Sequence, residues 1–177
     1  VMNFKCVVFQ THLPQYDVQG GIPSADRKKI INLSIKYFKK NNPQTYIILS
    51  GHGETPLQET IDLCDYVFWE ELWDLKDNGY VIDNPAQYYH VMKGVEHATK
   101  QGFDYCLVTR PWCLIGLPNV IEYCHDIITK ENKSILLTQS TSMKTYEVGD
   151  LLMYGKIDVM NGIWSEPVLN NEAGLVN

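Results

Sequence analysis

The sequence predicts an α/β fold, with one domain built on a mostly parallel central sheet that carries helices on both faces. Two observations support this prediction. Short runs rich in valine, isoleucine and aromatic residues alternate along the chain with longer segments whose apolar residues recur at helical spacing. The runs "CVVF" and "YCLV" are also apolar at every position, which is typical of strands covered on both faces.

The first part of the chain predicts three strands and two helices. A strand is expected over residues 4–13, and a helix over residues 24–43, where Ser24 or Asp26 caps the start and Pro43 follows a basic last turn. A second strand over residues 44–53 runs into a glycine turn. A short helix follows over residues 55–66, with a proline in its first turn. Residues 66–73 then form a third strand or a strand-to-helix transition.

The second part continues the alternation. Residues 84–102 predict a helix, because Tyr89, Met92, Val95 and Ala98 form one stripe and Gly102 stands at its end. A strand over 103–110, a helix over 117–132, a strand over 133–141 and a strand-and-helix unit over 149–164 follow. The predicted domain therefore covers residues 1–164, and residues 165–177 form a polar C-terminal tail.

Composition excludes several classes of function. The 177 residues carry a net charge of −6, whereas a protein that binds the nucleic-acid backbone needs a surplus of cations. The five cysteines show no CxxC spacing, so we expect reduced thiols of an intracellular protein and find no zinc-ligand pattern. Neither a membrane-length apolar run nor a signal-peptide layout is present, which favours a cytoplasmic protein without a membrane span.

Polar residues stand where the predicted strands end, which is where open parallel sheets bind their ligands. Small hydroxyls, imidazoles, glycines and an arginine at one edge suit a ligand that bears phosphate and sugar. A tight turn is the simpler explanation of the glycines, and no P-loop or GxGxxG motif occurs. The predicted ligand-binding residues at these strand ends are Thr11, His12, Gly51, His52 and Arg110.

Arg110 is the most informative of these residues, because an unpaired charge at the end of a buried strand costs several kcal/mol. Its partner is either a ligand phosphate or a carboxylate such as Asp150 or Asp158. The same two carboxylates are the candidate general bases for a sugar hydroxyl, although Asp158 also suits the first turn of a helix. The remaining histidines (His90, His97 and His125) fall on predicted helices, where surface or packing roles are expected.

Four segments carry a resemblance to a known family: "RKKIINLSIKYF", "NPQTYIILSGHGE", "NPAQYYHVMKGVEHATKQGFDYCLVTR" and "GDLLMYGKIDVMNGIW". In the order of these motifs and in their residue pattern, they resemble the WavE-type lipopolysaccharide-synthesis glycosyltransferases and their phage and large-virus relatives. The resemblance implies a GT-A-like (Rossmann-like) nucleotide-diphospho-sugar transferase fold. It places the donor over the strand ends, with Arg110 near its diphosphate, Thr11 and His12 near the nucleotide, and Asp150 or Asp158 near the acceptor hydroxyl or donor sugar.

The sequence departs from this family two residues after Arg110. The family pattern has a metal-binding aspartate there, and this chain has Trp112, which cannot ligate Mn²⁺ or Mg²⁺. No DxD triplet occurs elsewhere, so the usual motif for a divalent metal is absent. Trp112 could instead stack on a nucleobase or sugar.

The predicted function is therefore transfer of a sugar from a nucleotide-diphospho-sugar donor to a glycan or other hydroxyl acceptor. A non-catalytic nucleotide-sugar-binding, glycan-binding or assembly module derived from that fold is the alternative. An unrelated α/β protein that binds another phosphorylated metabolite is a third. The chain is short for such a transferase, so acceptor-binding segments are expected to be missing, supplied by other subunits or held on a longer parent protein. A homo-oligomer is a separate candidate assembly.

Overall fold

The computed structural model describes residues 2–13, 24–71, 85–111, 117–139 and 148–174. Strands and helices alternate along the chain up to the last two strands, which follow one another and precede the last helix. In chain order the elements are β1 (Cys6–Leu13), α1 (Ser24–Asn41), β2 (Tyr46–Gly53), α2 (Gln58–Leu63), β3 (Tyr66–Glu70), α3 (Pro85–Lys100), β4 (Tyr105–Thr109), α4 (Val120–Lys130), β5 (Ile135–Gln139), β6 (Val148–Lys156) and α5 (Ile157–Gly174).

The six strands form one sheet in the order β3-β2-β1-β4-β6-β5. The first four are parallel to one another, whereas β6 runs antiparallel to both β4 and β5. The carboxyl ends of β1 to β4 therefore lie along one edge of the sheet, which we call the carboxyl edge. Because β6 runs in the opposite direction, it begins at this edge and ends at the other.

Both faces of the sheet are covered, which explains the unbroken apolar runs of the central strands. Alternate residues of β1 enter two separate cores, with Val7 and Phe9 in one and Cys6 and Val8 in the other. Residues of α1 and α4 complete the first core, and residues of α3 and α5 complete the second. The sheet is thus a middle layer between two helical layers, as the sequence predicts.

The elements confirm the sequence predictions, with small differences at their ends. Residues 66–70 form a strand, and the rest of the segment over which a strand or a strand-to-helix transition was predicted lies mostly outside the described residues. Helix α5 continues past Trp164, where the sequence predicts a tail, and ends at Gly174. No helix among the described residues is both long and apolar enough to cross a membrane.

The described cysteines are free thiols, as predicted. Cys6, Cys106 and Cys124 are buried and Cys64 is partly buried, whereas Cys113 lies outside the described residues. Burial raises the pKa of Cys106 to about 12, so almost none of it is ionised at neutral pH. Since the thiolate is the reactive form, these cysteines have the character of packing residues.

Candidate functional site

A row of polar side chains crosses the carboxyl edge on the face that α3 covers. The sheet register pairs His12 of β1 with His52 of β2, and His52 with Glu70 of β3. Arg110 directly follows β4 and donates a hydrogen bond from Nη2 to Oε1 of Gln87 on α3, at 3.1 Å. Three of the predicted ligand-binding residues, His12, His52 and Arg110, therefore lie on neighbouring strands at one edge.

Three imidazole rings stack within this row. The ring of His52 lies 5.7 Å from that of His12 and 5.0 Å from that of His90, measured between ring centroids. His90 reaches the row because α3 begins at the carboxyl edge and carries this residue near its start. The edge is consequently lined by nitrogen atoms that can accept or donate protons.

Both ring nitrogens of His90 have hydrogen-bond partners. Its Nδ1–H donates to the carbonyl oxygen of Ala86 at 2.6 Å, because that oxygen can only accept. Its Nε2 lies 3.0 Å from Oε2 of Glu70, so one proton is needed between these two atoms. Burial lowers the pKa of His90, while its hydrogen bonds to Ala86 and Glu70 oppose that effect.

His12 lies between two permanent cations. Nη1 of Arg27, in the first turns of α1, lies 3.2 Å from Nε2 of His12. A guanidinium only donates, so Nε2 accepts and the ring hydrogen is on Nδ1. Partial burial lowers the pKa of His12, and the charges of Arg27 and Arg110 lower it further. Two guanidinium groups thus act on one imidazole, which makes this part of the edge electropositive.

The start of α1 is tied to the end of β2. Nζ of Lys28 lies 2.9 Å from Oε2 of Glu54, which directly follows β2. The backbone N–H of Glu54 in turn donates to the carbonyl of Leu13 at the end of β1. These contacts hold the first turns of α1, and with them Arg27, beside the ends of β1 and β2.

Thr11 and Gly51 lie on the opposite face of the sheet from His12 and His52. Thr11 is only 1% exposed, and its Oγ1 has no hydrogen-bond partner among the residues that the structure describes. A Cβ atom on Gly51 would lie 2.1 Å from the carbonyl oxygen of Thr11 and 2.7 Å from the ring of Trp69. Packing therefore explains the glycine at position 51.

The two predicted carboxylates are separated by the direction of β6. Leu152 pairs with Thr109 near the carboxyl edge, so Asp150 lies two residues further toward that edge. Lys156 pairs with Tyr105 at the other edge, and Asp158 follows it in the first turn of α5. The prediction that Asp158 lies with the strand-end residues is wrong, because antiparallel β6 carries the chain away from them.

Asp158 has a local role instead. It is exposed, and its Oδ1 accepts the backbone N–H of Val159 at 2.9 Å, as the helix-start alternative anticipated. Trp112 lies outside the described residues, so its predicted stacking stays a prediction. Among the described side chains, no three histidines, cysteines or acids are placed to hold a metal ion.

Three residues of this site were not predicted from the sequence: Arg27, Glu70 and His90. Arg27 and His90 lie on helices that follow parallel strands, and such helices begin at the carboxyl edge. Their positions near the helix starts were the available signal. Glu70 could not be assigned to the carboxyl edge from the sequence, because the sequence did not predict where the third strand ends.

The stacked ring of His52 makes stability depend on pH. Burial, followed by the neighbouring His90 and His12, lowers the pKa of His52 from 6.5 to about 4. Between these values the unfolded chain binds a proton that the folded chain does not, so stability falls as pH decreases from 6.5 toward 4. We expect a loss on the order of 2 kcal/mol after allowing for the partly exposed ring.

Urea unfolding of the wild type and of His52→Gln at pH 8, 6 and 4.5 measures this effect. The difference in free energy of unfolding between the two proteins should change with pH, which removes the contribution of carboxylates that both proteins share. Parallel pH profiles for the two proteins would show that His52 titrates normally.

The sequence matches no protein-family model and no curated protein. Its structure is similar to that of a protein provisionally assigned as a nucleotide-diphospho-sugar transferase from Desulfovibrio desulfuricans G20. The TM-score is 0.50 at 12% identity, over 96% of this chain and 75% of that one. It is equally similar to a cytidylyltransferase from Leptospira borgpetersenii, with a TM-score of 0.50 at 11% identity, over 93% of this chain and 65% of that one.

These likenesses show the fold. The chain has the α/β architecture of these two proteins, and it spans less than two thirds of the length of the cytidylyltransferase. The predicted α/β fold is therefore confirmed, whereas the predicted relationship to GT-A-like transferases and to the WavE-type enzymes stays a prediction.

Proposed function

We propose that this chain is a glycosyltransferase that binds a nucleotide-diphospho-sugar at the carboxyl edge and transfers its sugar to the hydroxyl of a glycan acceptor. One observation carries the proposal: the positive charges of Arg27 and Arg110 both lower the pKa of His12, at the carboxyl edge, where open parallel sheets bind their ligands. Planar guanidinium groups match the geometry of phosphate oxygens, so this pair suits a diphosphate.

The reaction requires that a developing negative charge be stabilised. A new bond forms between the acceptor oxygen and the anomeric carbon of the donor, while the bond from that carbon to the phosphate oxygen breaks. The breaking bond leaves its electrons on the nucleoside diphosphate. We assign the stabilisation of that charge to Arg110 and Arg27, whose guanidinium groups are already held at the carboxyl edge by contacts with Gln87 and His12.

The proton of the acceptor hydroxyl must pass to a base. We assign this role to Asp150, because its backbone lies at the start of β6, two residues beyond Leu152 toward the carboxyl edge, and Leu152 pairs with Thr109. His12 is less suited, since its Nε2 accepts from Arg27 and its pKa is lowered. Trp112 stays the predicted stacking partner of the nucleobase or sugar. Thr11 is not assigned a contact, because it is buried on the opposite face of the sheet from His12.

The first test is thermal unfolding of the purified chain with UDP-, GDP-, CMP- and dTDP-sugars and with CTP, each with and without Mn²⁺. A ligand that binds only the folded state at 100 times its Kd stabilises it by about 2.7 kcal/mol. For a chain of this size that corresponds to a Tm increase of roughly 5–10 °C. We expect this increase with one class of nucleotide-diphospho-sugar.

Chemistry is then measured with the nucleotide-sugar that binds. Release of nucleoside diphosphate that depends on an added glycan supports sugar transfer, and binding without turnover supports the non-catalytic module. Stabilisation by CTP, with release of pyrophosphate in the presence of a sugar phosphate, would support nucleotidyl transfer instead. No stabilisation by any of these nucleotides would exclude the proposed donor site.

A further inference from the structure

Helix α1 presents an apolar stripe to solvent on the side that faces away from the sheet. Leu33 is 64% exposed, Tyr37 is 52% exposed and Ile30 is 36% exposed. Ile31 and Ile35, on the opposite side of the helix, are buried in the core. The helix is thus apolar on two sides, and only one of them is covered by its own chain.

The exposed stripe continues into a charged residue at each end. Asp26 and Lys40 are both exposed and lie on the same side of the helix as the three apolar residues. The stripe, which we call the α1 seam, consists of Asp26, Ile30, Leu33, Tyr37 and Lys40. Its spacing of four, three, four and three residues is the spacing of a coiled-coil seam.

The α1 seam is complementary to itself. If two copies of α1 pair antiparallel around a twofold axis at Leu33, Leu33 meets the partner's Leu33 and Ile30 meets the partner's Tyr37. Asp26 then meets the partner's Lys40 at each end. A twofold axis requires such self-complementary surfaces, and a parallel pair would instead oppose acid to acid and base to base along the seam. The antiparallel pair brings Lys29 near the partner's Lys36 beside the seam, where both side chains are exposed and can extend into water.

We propose that this face binds a second copy of the chain through the antiparallel pairing of the two α1 seams. The end of α1 also lies against the start of α4, where the N–H of Asn119 donates to the carbonyl of Asn41. Leu117 and Tyr123, exposed by 61% and 64%, lie close to Asn119 in the chain. Arg27 contacts His12 and lies outside the seam, so the proposal does not depend on the proposed function.

Sedimentation velocity of the full chain over a range of concentrations tests the proposal. We expect a monomer–dimer equilibrium in the micromolar range. Leu33→Asp should make the protein monomeric, because it places two carboxylates at the twofold axis. Its Tm at low concentration should stay unchanged, since Leu33 is exposed within one chain. Ile163→Asp, at an exposed position on α5 across the sheet, should leave the dimer intact.

Charge exchange tests the direction of pairing. Asp26→Lys and Lys40→Asp should each weaken the dimer at least 10-fold by opposing like charges, and the double variant should recover it. The 3.7 Å contact of Asp26 with Lys29 within one chain is exposed and contributes little. Effects of these changes on the helix itself appear separately in the Tm at low concentration.

A wild-type monomer at high concentration, or a dimer unaffected by Leu33→Asp, would overturn the proposal. Failure of the double variant to recover the dimer would exclude the antiparallel seam.

Discussion

The Arg110→Ala variant is expected to bind the nucleotide-diphospho-sugar about 10- to 100-fold more weakly, because hydrogen bonds to charged groups contribute about 1.5–3 kcal/mol. The side chain is oriented by Gln87, whose Oε1 accepts from Nη2 at 3.1 Å. Gln87→Ala should therefore weaken binding less than Arg110→Ala, by loosening the guanidinium without removing it. The affinity of Arg110→Lys should lie between those of the wild type and of Arg110→Ala, since lysine keeps the positive charge and lacks the planar guanidinium.

Titration calorimetry with the donor identified by thermal unfolding measures these affinities. Lys133→Ala is a matched control, because Lys133 is an exposed cation two residues before β5, at the edge opposite the site. It makes the same change in net charge and should leave affinity unchanged. Equal losses in Arg110→Ala and Lys133→Ala would mean that only net charge matters. An unchanged affinity in Arg110→Ala would remove Arg110 from the donor site.

Gly51→Ala is expected to produce a large loss of stability. The new Cβ would lie 2.1 Å from the carbonyl oxygen of Thr11 and 3.1 Å from its carbonyl carbon. These are backbone atoms of the neighbouring strand, so β1 and β2 must separate locally to admit a methyl group. We expect a loss of about 3 kcal/mol or more in the free energy of unfolding. The corresponding decrease in Tm is roughly 10 °C for a chain of this size.

Gly162→Ala is the matched control for this prediction. Among the described residues, no atom outside the local helix backbone lies within 4 Å of a Cβ built at Gly162, which is inside α5. Alanine there should leave stability unchanged or increase it by up to about 1 kcal/mol, since glycine is unfavourable inside a helix. Thermal and urea unfolding of both variants measures the two effects. A Gly51→Ala protein as stable as the wild type would show that the ends of β1 and β2 can separate at little cost.

Local sequence patterns were sufficient to predict the elements. Apolar runs such as Cys6–Phe9 must be buried on both faces, and the helical spacing of Met92, Val95 and Ala98 fixes which side of α3 meets the sheet. These patterns depend on residues close together in the chain. Periodicity therefore predicts strands, helices and the layered fold without knowledge of how distant segments meet.

The site could be predicted only in part. His12, His52 and Arg110 were identified because each ends a strand, and parallel strands end at one edge. Arg27, Glu70 and His90 were not, since each reaches the site through the packing of its helix or strand against others. Gly51 was identified as a strand-end residue, but only the contact with Thr11 shows why it must be glycine.

The sequence by itself determined the alternating α/β order, the free thiols of the described cysteines and the polar strand ends. The tertiary structure decided the direction of β6, which leaves Asp150 near the carboxyl edge and places Asp158 at the other. It also decided that three histidines stack into one row. Strand direction and ring stacking depend on contacts between segments far apart in the chain, and no local pattern of residues specifies them.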